Sequence, residues 1–245
     1  MHRNSSASSL CSEMILYYIT DRSQFRGSEA QRRERLLNQI AEASRAGVDL
    51  VQLREKDLPP RELEALAREA ARVVRENSGD HPTQLLINSR MDVAIAAGAD
   101  GVHLRANDIA ASEARVIFSK AGMQTPVIAV SCHTVAEVRL TDAHGADLAV
   151  FGPVFEKAGA SVQGVEALRA ACGRVPARGI EAALPAGCMP VLALGGVTLE
   201  NAGVCLEAGA AGIAAIRLFQ ENEIARVVET LKKAAIKIRP TRVLR

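Results

Sequence analysis

The sequence predicts a single (β/α)8 barrel of the TIM type, in the α/β class. Three observations support this prediction. The chain has 245 residues, and one such barrel typically takes about 250. Short apolar runs alternate with helix-like stretches along the chain, and no linker rich in proline or glycine divides the series. The alternation indicates a parallel sheet, and its unbroken course favours a closed barrel over an open, doubly wound sheet.

The apolar runs are short and rich in β-branched residues, which is typical of strands buried in a parallel sheet. The predicted strands are Ile15–Ile19, Val48–Leu53, Leu85–Ile87, Gly101–Leu104, Val127–Val130, Leu148–Phe151, Val191–Leu194 and Gly212–Ile216. The predicted helices are Glu29–Ala46, Pro60–Glu76, Asn107–Gly122, Thr134–Gly145, Val165–Gly173, Leu199–Gly209 and Glu221–Ile238. Several of these helices end in glycine, which suits a left-handed C-cap.

One connection from helix to strand recurs in the sequence. In each copy a glycine ends a helix and an apolar run opens the next strand. The copies are Ala46–Val51, Ala97–Val102, His144–Ala149 and Ala208–Ile213. The repeat supports the barrel and says nothing about function, because one fold hosts many activities.

The two ends of the chain differ from the barrel in composition. Residues 1–13 are polar and rich in serine, and we expect them to form a disordered leader. The leader lacks the apolar segment of a secretory signal, and no apolar run is long enough to span a membrane. We expect the barrel to occupy residues 14–240 and residues 241–245 to form a flexible tail.

Charge and cysteine content restrict the partners. The net charge is +2 and there is no tryptophan, so the sequence predicts no nucleic-acid surface. The five cysteines are scattered without a paired motif, which fits a reducing, cytoplasmic setting and gives no zinc signature. The expected partners are small phosphorylated molecules, and the sequence leaves a homo-oligomer open.

Function in such barrels is located at the carboxyl ends of the strands. The second strand ends in a polar segment formed by Gln52, Leu53, Arg54, Glu55 and Lys56. Strand side chains alternate between faces, so Gln52, Arg54 and Lys56 would share one side and suit a pyrophosphate. The same residues equally fit a solvated turn in which Glu55 and Asp57 neutralise the two cations.

Two further strand ends carry groups with two interpretations each. Asn88, after the third strand, suits a hydrogen bond to a heteroaromatic ligand or a cap on the next helix. Asp108, after the fourth strand, suits Mg²⁺, which often takes one or two carboxylates together with substrate phosphates. From its position alone, a helix N-cap is the favoured role of Asp108.

The later strand ends add donors and a titratable ring. Ser131 suits a hydrogen bond to phosphate, whereas His133 suits either proton transfer or a structural position at a helix start. Cys132 should point to the opposite face, so a thiol–imidazole pair with His133 is not expected. A turn at Gly195 and Gly196 would expose backbone N–H groups to an anion, or it is a plain tight turn.

Taken together, these segments resemble the thiamine phosphate synthase family and its close relatives, the thiazole tautomerases. The resemblance covers Ile15 to Phe219. Its segments are Tyr18–Asp21, Gln52–Lys56, Ile87–Asn88 with Arg90 and Asp92, Gly98–Leu104, Val130–Ser131, His133–Thr134, Gly152–Phe155 and Leu194–Thr198.

The resemblance implies a particular reaction. The synthase joins hydroxymethylpyrimidine pyrophosphate to thiazole phosphate, with ionisation of the pyrimidine methylene from pyrophosphate before the thiazole nitrogen attacks. Catalysis would then consist of positioning the substrates and stabilising the leaving anion with Mg²⁺, arginine and lysine.

By the same resemblance, Gln52–Lys56 and Asn88 would hold the pyrimidine pyrophosphate, Asp108 would ligate Mg²⁺ and Ser131 would contact the pyrophosphate. Gly196, Ile216 and Arg217 would line the thiazole phosphate site, with Arg217 in place of a usual serine. The expected catalytic residues are Arg54, Lys56, Ser131 and His133.

The chain also departs from the family pattern. Ser89 stands where the family has a second metal-binding aspartate, and Arg105–Ala106 replaces Gly-Gln. Residues 156–161 replace a Thr-x-Thr-Lys stretch. These differences make a thiazole tautomerase with His133 as its proton shuttle, or a non-catalytic barrel that binds a phosphate ligand, the alternative functions. The complete Gln52–Lys56 segment and Asp108 favour the synthase.

Overall fold

The protein forms the closed barrel that the sequence predicts. A computed structural model describes residues 14–80, 82–155, 161–173 and 189–238, so the predicted leader and the tail at 241–245 lie outside the described residues. The strands are parallel, and their order around the barrel is their order in the sequence. They are β1 (Ile15–Ile19), β2 (Leu50–Leu53), β3 (Gln84–Asn88), β4 (Gly101–Leu104), β5 (Val127–Cys132), β6 (Leu148–Phe151), β7 (Val191–Leu194) and β8 (Gly212–Ala215).

Helices follow the strands and surround the barrel. Those in the described part of the chain are α1 (Glu29–Ala46), α2 (Pro60–Asn77), α3 (Met91–Ala97), α4 (Ala111–Lys120), α5 (Val135–Ala143), α6 (Gly164–Ala171), α7 (Ala202–Glu207), α8 (Arg217–Gln220) and α9 (Ile224–Ile238). A short 3-10 turn, Arg22–Gln24, follows β1. Gly47 ends α1 with a left-handed φ of 78°, as the sequence predicts.

Helices α3 and α8 are absent from the predicted helices, and α4 begins later than predicted. The sequence carries little signal for α3, because this helix has only 7 residues and its N-cap, Arg90, makes no side-chain capping bond. Helix α4 begins at Ala111 and not at Asn107. The Asp108 carboxylate accepts a hydrogen bond from the backbone N–H of Arg105, 2.8 Å away, and this turn occupies the first residues of the predicted helix.

The recurring connection has a structural role in three of its four copies. In these three, an aspartate carboxylate accepts a hydrogen bond from a backbone N–H at the start of the preceding strand. The pairs are Asp49 with Leu16 at 2.8 Å, Asp100 with Leu85 at 2.8 Å and Asp147 with Ile128 at 2.7 Å. The four copies precede β2, β4, β6 and β8, so the barrel repeats in units of two strands.

The core has two layers. One apolar cluster fills the space between the barrel and its helices, and a smaller one fills the barrel interior. The interior cluster is formed by Ile15, Tyr17, Ile19, Leu50, Leu86, Ala129, Leu148, Val150, Leu192 and Ala214. It fills the barrel interior, and in barrels of this kind the functional groups lie at the carboxyl ends of the strands. No helix among the described residues is both long enough and apolar enough to cross a membrane.

Candidate active site at the barrel mouth

Polar side chains extend the interior of the barrel toward its mouth. Because strand side chains alternate between faces, a residue two positions beyond an interior residue also points inward. Four of these polar residues lie at such positions, and the fifth, His103, is hydrogen-bonded to two of them. The set consists of Tyr17, Gln52, Asn88, His103 and Ser131. Gln52, Asn88 and Ser131 were predicted from the sequence to bind ligand, whereas Tyr17 and His103 were not. The missed signal was a polar residue at an inward position of an otherwise apolar strand.

Gln52 and Asn88 form a pair across β2 and β3. The side-chain amide of Gln52, which is 2% exposed, donates to the Asn88 side-chain oxygen at 2.9 Å. The helix after β3 has Arg90 as its N-cap, so the interpretation of Asn88 as a helix cap is wrong. The bond orients both amides at the mouth.

Tyr17, His103 and Ser131 form a hydrogen-bonded chain through the barrel interior. The Tyr17 hydroxyl lies 2.9 Å from His103 Nδ1, and His103 Nε2 lies 2.7 Å from Ser131 Oγ. Burial and the positive charge of nearby Arg54 lower the pKa of His103 to about 3, so the ring is neutral near pH 7. Burial also raises the pKa of Tyr17. The chain therefore consists of neutral groups and ends at the mouth on Ser131.

The segment after β2 divides between the two faces as the alternation predicts. Arg54 is partly buried and its backbone N–H donates to the Thr20 hydroxyl at 3.0 Å. Lys56 is exposed. Leu53 is fully buried in the layer between barrel and helices, and Glu55 is buried beside Arg22. The side chains of Leu53 and Glu55 thus point away from the mouth.

Glu55 and Asp57 are both paired with Arg22. The Arg22 guanidinium, which is 4% exposed, lies 3.0 Å from Glu55 and 2.7 Å from Asp57. Burial raises the pKa of Glu55, although hydrogen bonds from Thr20 and Arg22 oppose that increase. The hydrogen bond from Arg22 lowers the pKa of Asp57. Glu55 is therefore buried beside Arg22, which does not fit the alternative of a solvated turn in which it neutralises Arg54.

Ser89 and Asp108 meet beside the mouth. The Ser89 hydroxyl donates to the Asp108 carboxylate at 3.0 Å, and the Arg105 guanidinium lies 3.1 Å from the same carboxylate. Partial burial disfavours the charged carboxylate, but hydrogen bonds from Arg105 and Ser89 outweigh it and lower the pKa of Asp108. The N-cap of α4 is Ala110, so the interpretation of Asp108 as a helix cap is wrong.

A pocket of about 370 Å³ adjoins this pair; it is lined by Ser89, Met91, Leu104, Asn107, Asp108 and Ile109. Within the described ranges, no group of three or more histidine, cysteine, aspartate or glutamate side chains is arranged to hold a metal ion. A cation here would take its protein ligands from Asp108 and Ser89 and the remaining ligands from substrate or water.

His133 is exposed at the end of β5 and joins two loops. Its Nδ1 lies 2.6 Å from the carbonyl oxygen of Gly152, and Thr134, not His133, is the N-cap of α5. Cys132 is buried with its Sγ 3.4 Å from the Thr141 hydroxyl. The expectation that Cys132 and His133 point to opposite faces is confirmed.

The turn after β7 has the backbone shape that glycine permits. Gly195 and Gly196 have φ values of 94° and 64°, and a Cβ on Gly195 would lie 2.5 Å from that of Pro153. After β8, Ile216 is half-buried and Arg217 is exposed as the first residue of α8. The strand-6 loop at 156–160 lies outside the described residues, and Ser161 after it is exposed.

The fold and the mouth define a class: a (β/α)8 barrel whose inward donors and partly buried arginine suit a phosphorylated ligand. The comparison with known families is more specific. The chain belongs to the thiamine monophosphate synthase family, whose family model matches residues 16–219.

Individual relatives agree with this assignment. The chain is 40% identical over 208 residues to a putative thiamine-phosphate synthase of Geobacter sulfurreducens, covering 83% of this chain and 85% of the relative. It is 35% identical over 218 residues to the thiamine-phosphate synthase of Methanoculleus marisnigri, covering 89% and 93%. A solved structure of thiamine phosphate pyrophosphorylase from Pyrococcus furiosus superposes with a TM-score of 0.71 at 28% identity, covering 92% of this chain and 96% of the other.

Proposed function

We infer that this protein is a thiamine-phosphate synthase. The observation that carries this inference is the distribution of charge after β2: Arg54 is at the mouth, whereas Glu55 and Asp57 are paired with Arg22. In the reaction, the bond between the pyrimidine methylene carbon and a pyrophosphate oxygen breaks, and pyrophosphate leaves with the electron pair. A bond then forms between that carbon and the thiazole nitrogen. A site for this chemistry must stabilise a leaving anion, which cationic side chains do well in a partly buried site.

The residues at the mouth divide this work. We propose that Arg54, Lys56 and Ser131 bind the pyrophosphate, and that the paired amides of Gln52 and Asn88 hold the pyrimidine ring. The backbone of Leu53 and Glu55 completes this segment, since their side chains point away. The phosphate of the thiazole would bind at the turn after β7 and the end of β8, formed by Gly195, Gly196, Ile216 and Arg217.

Mg²⁺ fits the donors that Asp108 and Ser89 provide. One carboxylate with a hydroxyl 3.0 Å away is a small set, but Mg²⁺ commonly takes one or two carboxylates and completes its shell with substrate phosphate and water. We propose that Asp108 holds the ion and that Ser89 is its weaker neighbour. When bound, the ion would supply positive charge against the leaving pyrophosphate.

We further propose that the protein acts in the cytoplasm. Among the described cysteines, Cys132 and Cys205 are free and buried, which fits a reducing compartment. The proposed partners are the two phosphorylated substrates, with a homo-oligomer to be tested by light scattering.

The deciding experiment incubates the purified protein with both substrates and Mg²⁺ and measures thiamine phosphate and pyrophosphate by chromatography with mass detection. We expect both products in equal amounts. Isomerisation of the thiazole phosphate without coupling would instead indicate a tautomerase that uses His133. Thermal stabilisation by substrate without any turnover would indicate a non-catalytic binder.

The Ser89→Asp variant should bind Mg²⁺ more tightly, lowering the concentration for half-maximal turnover roughly tenfold, because it adds a second carboxylate beside Asp108. Ser89 has a φ of 55°, a backbone region that aspartate and asparagine tolerate better than most residues. Ser89→Asn is therefore the matched control, with similar shape and no added charge. An equal response of both variants to Mg²⁺ would exclude Ser89 from the ion site.

A further inference from the structure

We propose that Tyr17 and His103 are positioning residues that fix the Ser131 hydroxyl as a hydrogen-bond donor directed at an anionic oxygen of the ligand. The inference rests on the proposed function insofar as it takes that oxygen to belong to pyrophosphate. Neither Tyr17 nor His103 was expected from the sequence to contribute to the site. Their contribution follows from the direction of the hydrogen bonds in the chain Tyr17–His103–Ser131.

The three groups are held rigidly. Tyr17 is 0% exposed and His103 is 2% exposed, and their ring centroids lie 5.7 Å apart. The residues come from β1, β4 and β5, and Tyr17 belongs to the apolar cluster that closes the barrel. Side chains packed in this way keep one orientation, so the hydrogen bonds between them are a fixed feature of the barrel interior.

The direction of the bonds follows from the number of protons. A neutral imidazole carries one N–H, so one ring nitrogen donates and the other accepts. If Nδ1 carried the proton, it would donate to Tyr17, and the Ser131 hydroxyl would have to donate to Nε2. The Tyr17 hydroxyl proton would then be buried without an acceptor among the described residues, which costs about 1–3 kcal/mol.

The opposite arrangement satisfies every group. Tyr17 donates to Nδ1, Nε2–H donates to Ser131 Oγ, and the Ser131 proton remains available at the mouth. A doubly protonated ring is excluded on the same ground, since it too would leave the Tyr17 proton without an acceptor. Tyr17 therefore selects the tautomer of His103, and this tautomer makes Ser131 a donor toward the ligand. A donor favours an anionic oxygen over a neutral N–H or O–H group.

This direction makes a prediction that is independent of turnover. In ¹⁵N-histidine-labelled protein without substrate, the nitrogen spectrum of His103 should show the Nε2–H tautomer. The His103 signals are identified among the five histidines by their loss in a His103→Gln variant. A His103 ring protonated at Nδ1 would overturn the inference, whether or not the protein is a synthase.

The functional part is tested by a double-mutant cycle with Tyr17→Phe, which removes one oxygen and keeps the ring, and Ser131→Ala. We expect Tyr17→Phe to lower kcat/KM roughly tenfold, because it weakens the hydrogen bond from Ser131 to a charged ligand oxygen. It should also weaken the binding of inorganic pyrophosphate, measured by calorimetry. Because Tyr17 acts through Ser131, Tyr17→Phe should have little further effect in the Ser131→Ala background.

The outcomes separate two kinds of failure. If the wild-type protein makes no thiamine phosphate, the proposed function fails, and the tautomer and pyrophosphate binding still test the positioning role. If the wild type is active and the two substitutions act additively, Tyr17 contributes only to folding and the inference is wrong. Denaturation curves show whether Tyr17→Phe is folded. If Tyr17→Phe does not fold, His103→Gln is compared with His103→Ala instead. Glutamine can accept and donate hydrogen bonds in place of the ring, so His103→Gln should retain more activity than His103→Ala.

Discussion

Replacing Arg54 with alanine is expected to lower the rate of thiamine phosphate formation by roughly 100- to 1000-fold, the usual effect of removing one group that stabilises a developing anion. Arg54 is the cation at the end of β2 that is partly buried and close enough to His103 to lower its pKa. A charge so placed is screened less by water than an exposed one. Most of the loss should be in kcat, since negative charge grows on pyrophosphate as it leaves.

Two controls make this result interpretable. Arg54→Lys keeps the charge but loses the planar fork, and it should recover part of the rate. Arg72→Ala removes an exposed arginine of α2 that pairs with Glu76, and its rate should stay within about twofold of the wild type, as expected for a surface pair. Unchanged turnover in Arg54→Ala would show that the end of β2 does not bind the pyrophosphate.

The second large effect is expected on stability, from Arg22→Met. This substitution leaves the Glu55 carboxylate buried without its cation, and removal of one partner of a buried pair typically costs about 3–5 kcal/mol. Arg22 also contacts Asp57 and Glu29, at 2.7 and 2.6 Å, so the loop after β2 should loosen as well. The free energy of unfolding from urea titration measures the effect.

The pH dependence gives Arg22→Met a second signature. Without Arg22, the pKa of Glu55, which burial already raises, should rise further, and the lowered pKa of Asp57 should return toward its ordinary value. Both changes let the folded state bind more protons than it does in the wild type. The destabilisation should therefore grow as the pH rises above the ordinary carboxylate pKa values of about 4 and should shrink in acid.

A double variant distinguishes charge from packing. Arg22→Met with Glu55→Gln should be more stable than Arg22→Met alone, because no uncompensated charge remains buried. Arg33→Met serves as the control, since Arg33 is 26% exposed and its distance to Glu69 is 3.6 Å. If Arg22→Met and Arg33→Met cost the same, the Arg22 network does not stabilise the segment after β2.

The positions of the strands, and much of the mouth, could be predicted from the sequence. Strands and helix ends are recognised from apolar runs and terminal glycines, which are patterns among neighbouring residues. The alternation of side chains along a strand is likewise local, and it is enough to place Gln52 and Arg54 on one face and Leu53 and Glu55 on the other. The same alternation separated Cys132 from His133. Helix α3 could not be predicted, because a segment of 7 residues carries too little periodic signal.

The partners of the charged residues could not be predicted in the same way. Arg22 meets Glu55 across 33 positions in the sequence, and nothing near Glu55 indicates that its cation comes from the turn after β1. Asp108 was favoured as a helix cap on local grounds, yet its carboxylate contacts Ser89, 19 positions earlier. In both cases a local pattern allowed two interpretations, and only a distant residue distinguished them.

The sequence by itself determined the barrel, the family and the location of the functional groups at the strand ends, because these depend on local periodicity and on short segments in a fixed order. Only the tertiary structure decided which groups meet. Closing the barrel brings Tyr17 to His103 across 86 positions and His103 to Ser131 across 28. Hydrogen bonds act over about 3 Å of space and do not depend on separation along the chain, so the direction of the Tyr17–His103–Ser131 chain emerges only when the strands are in place.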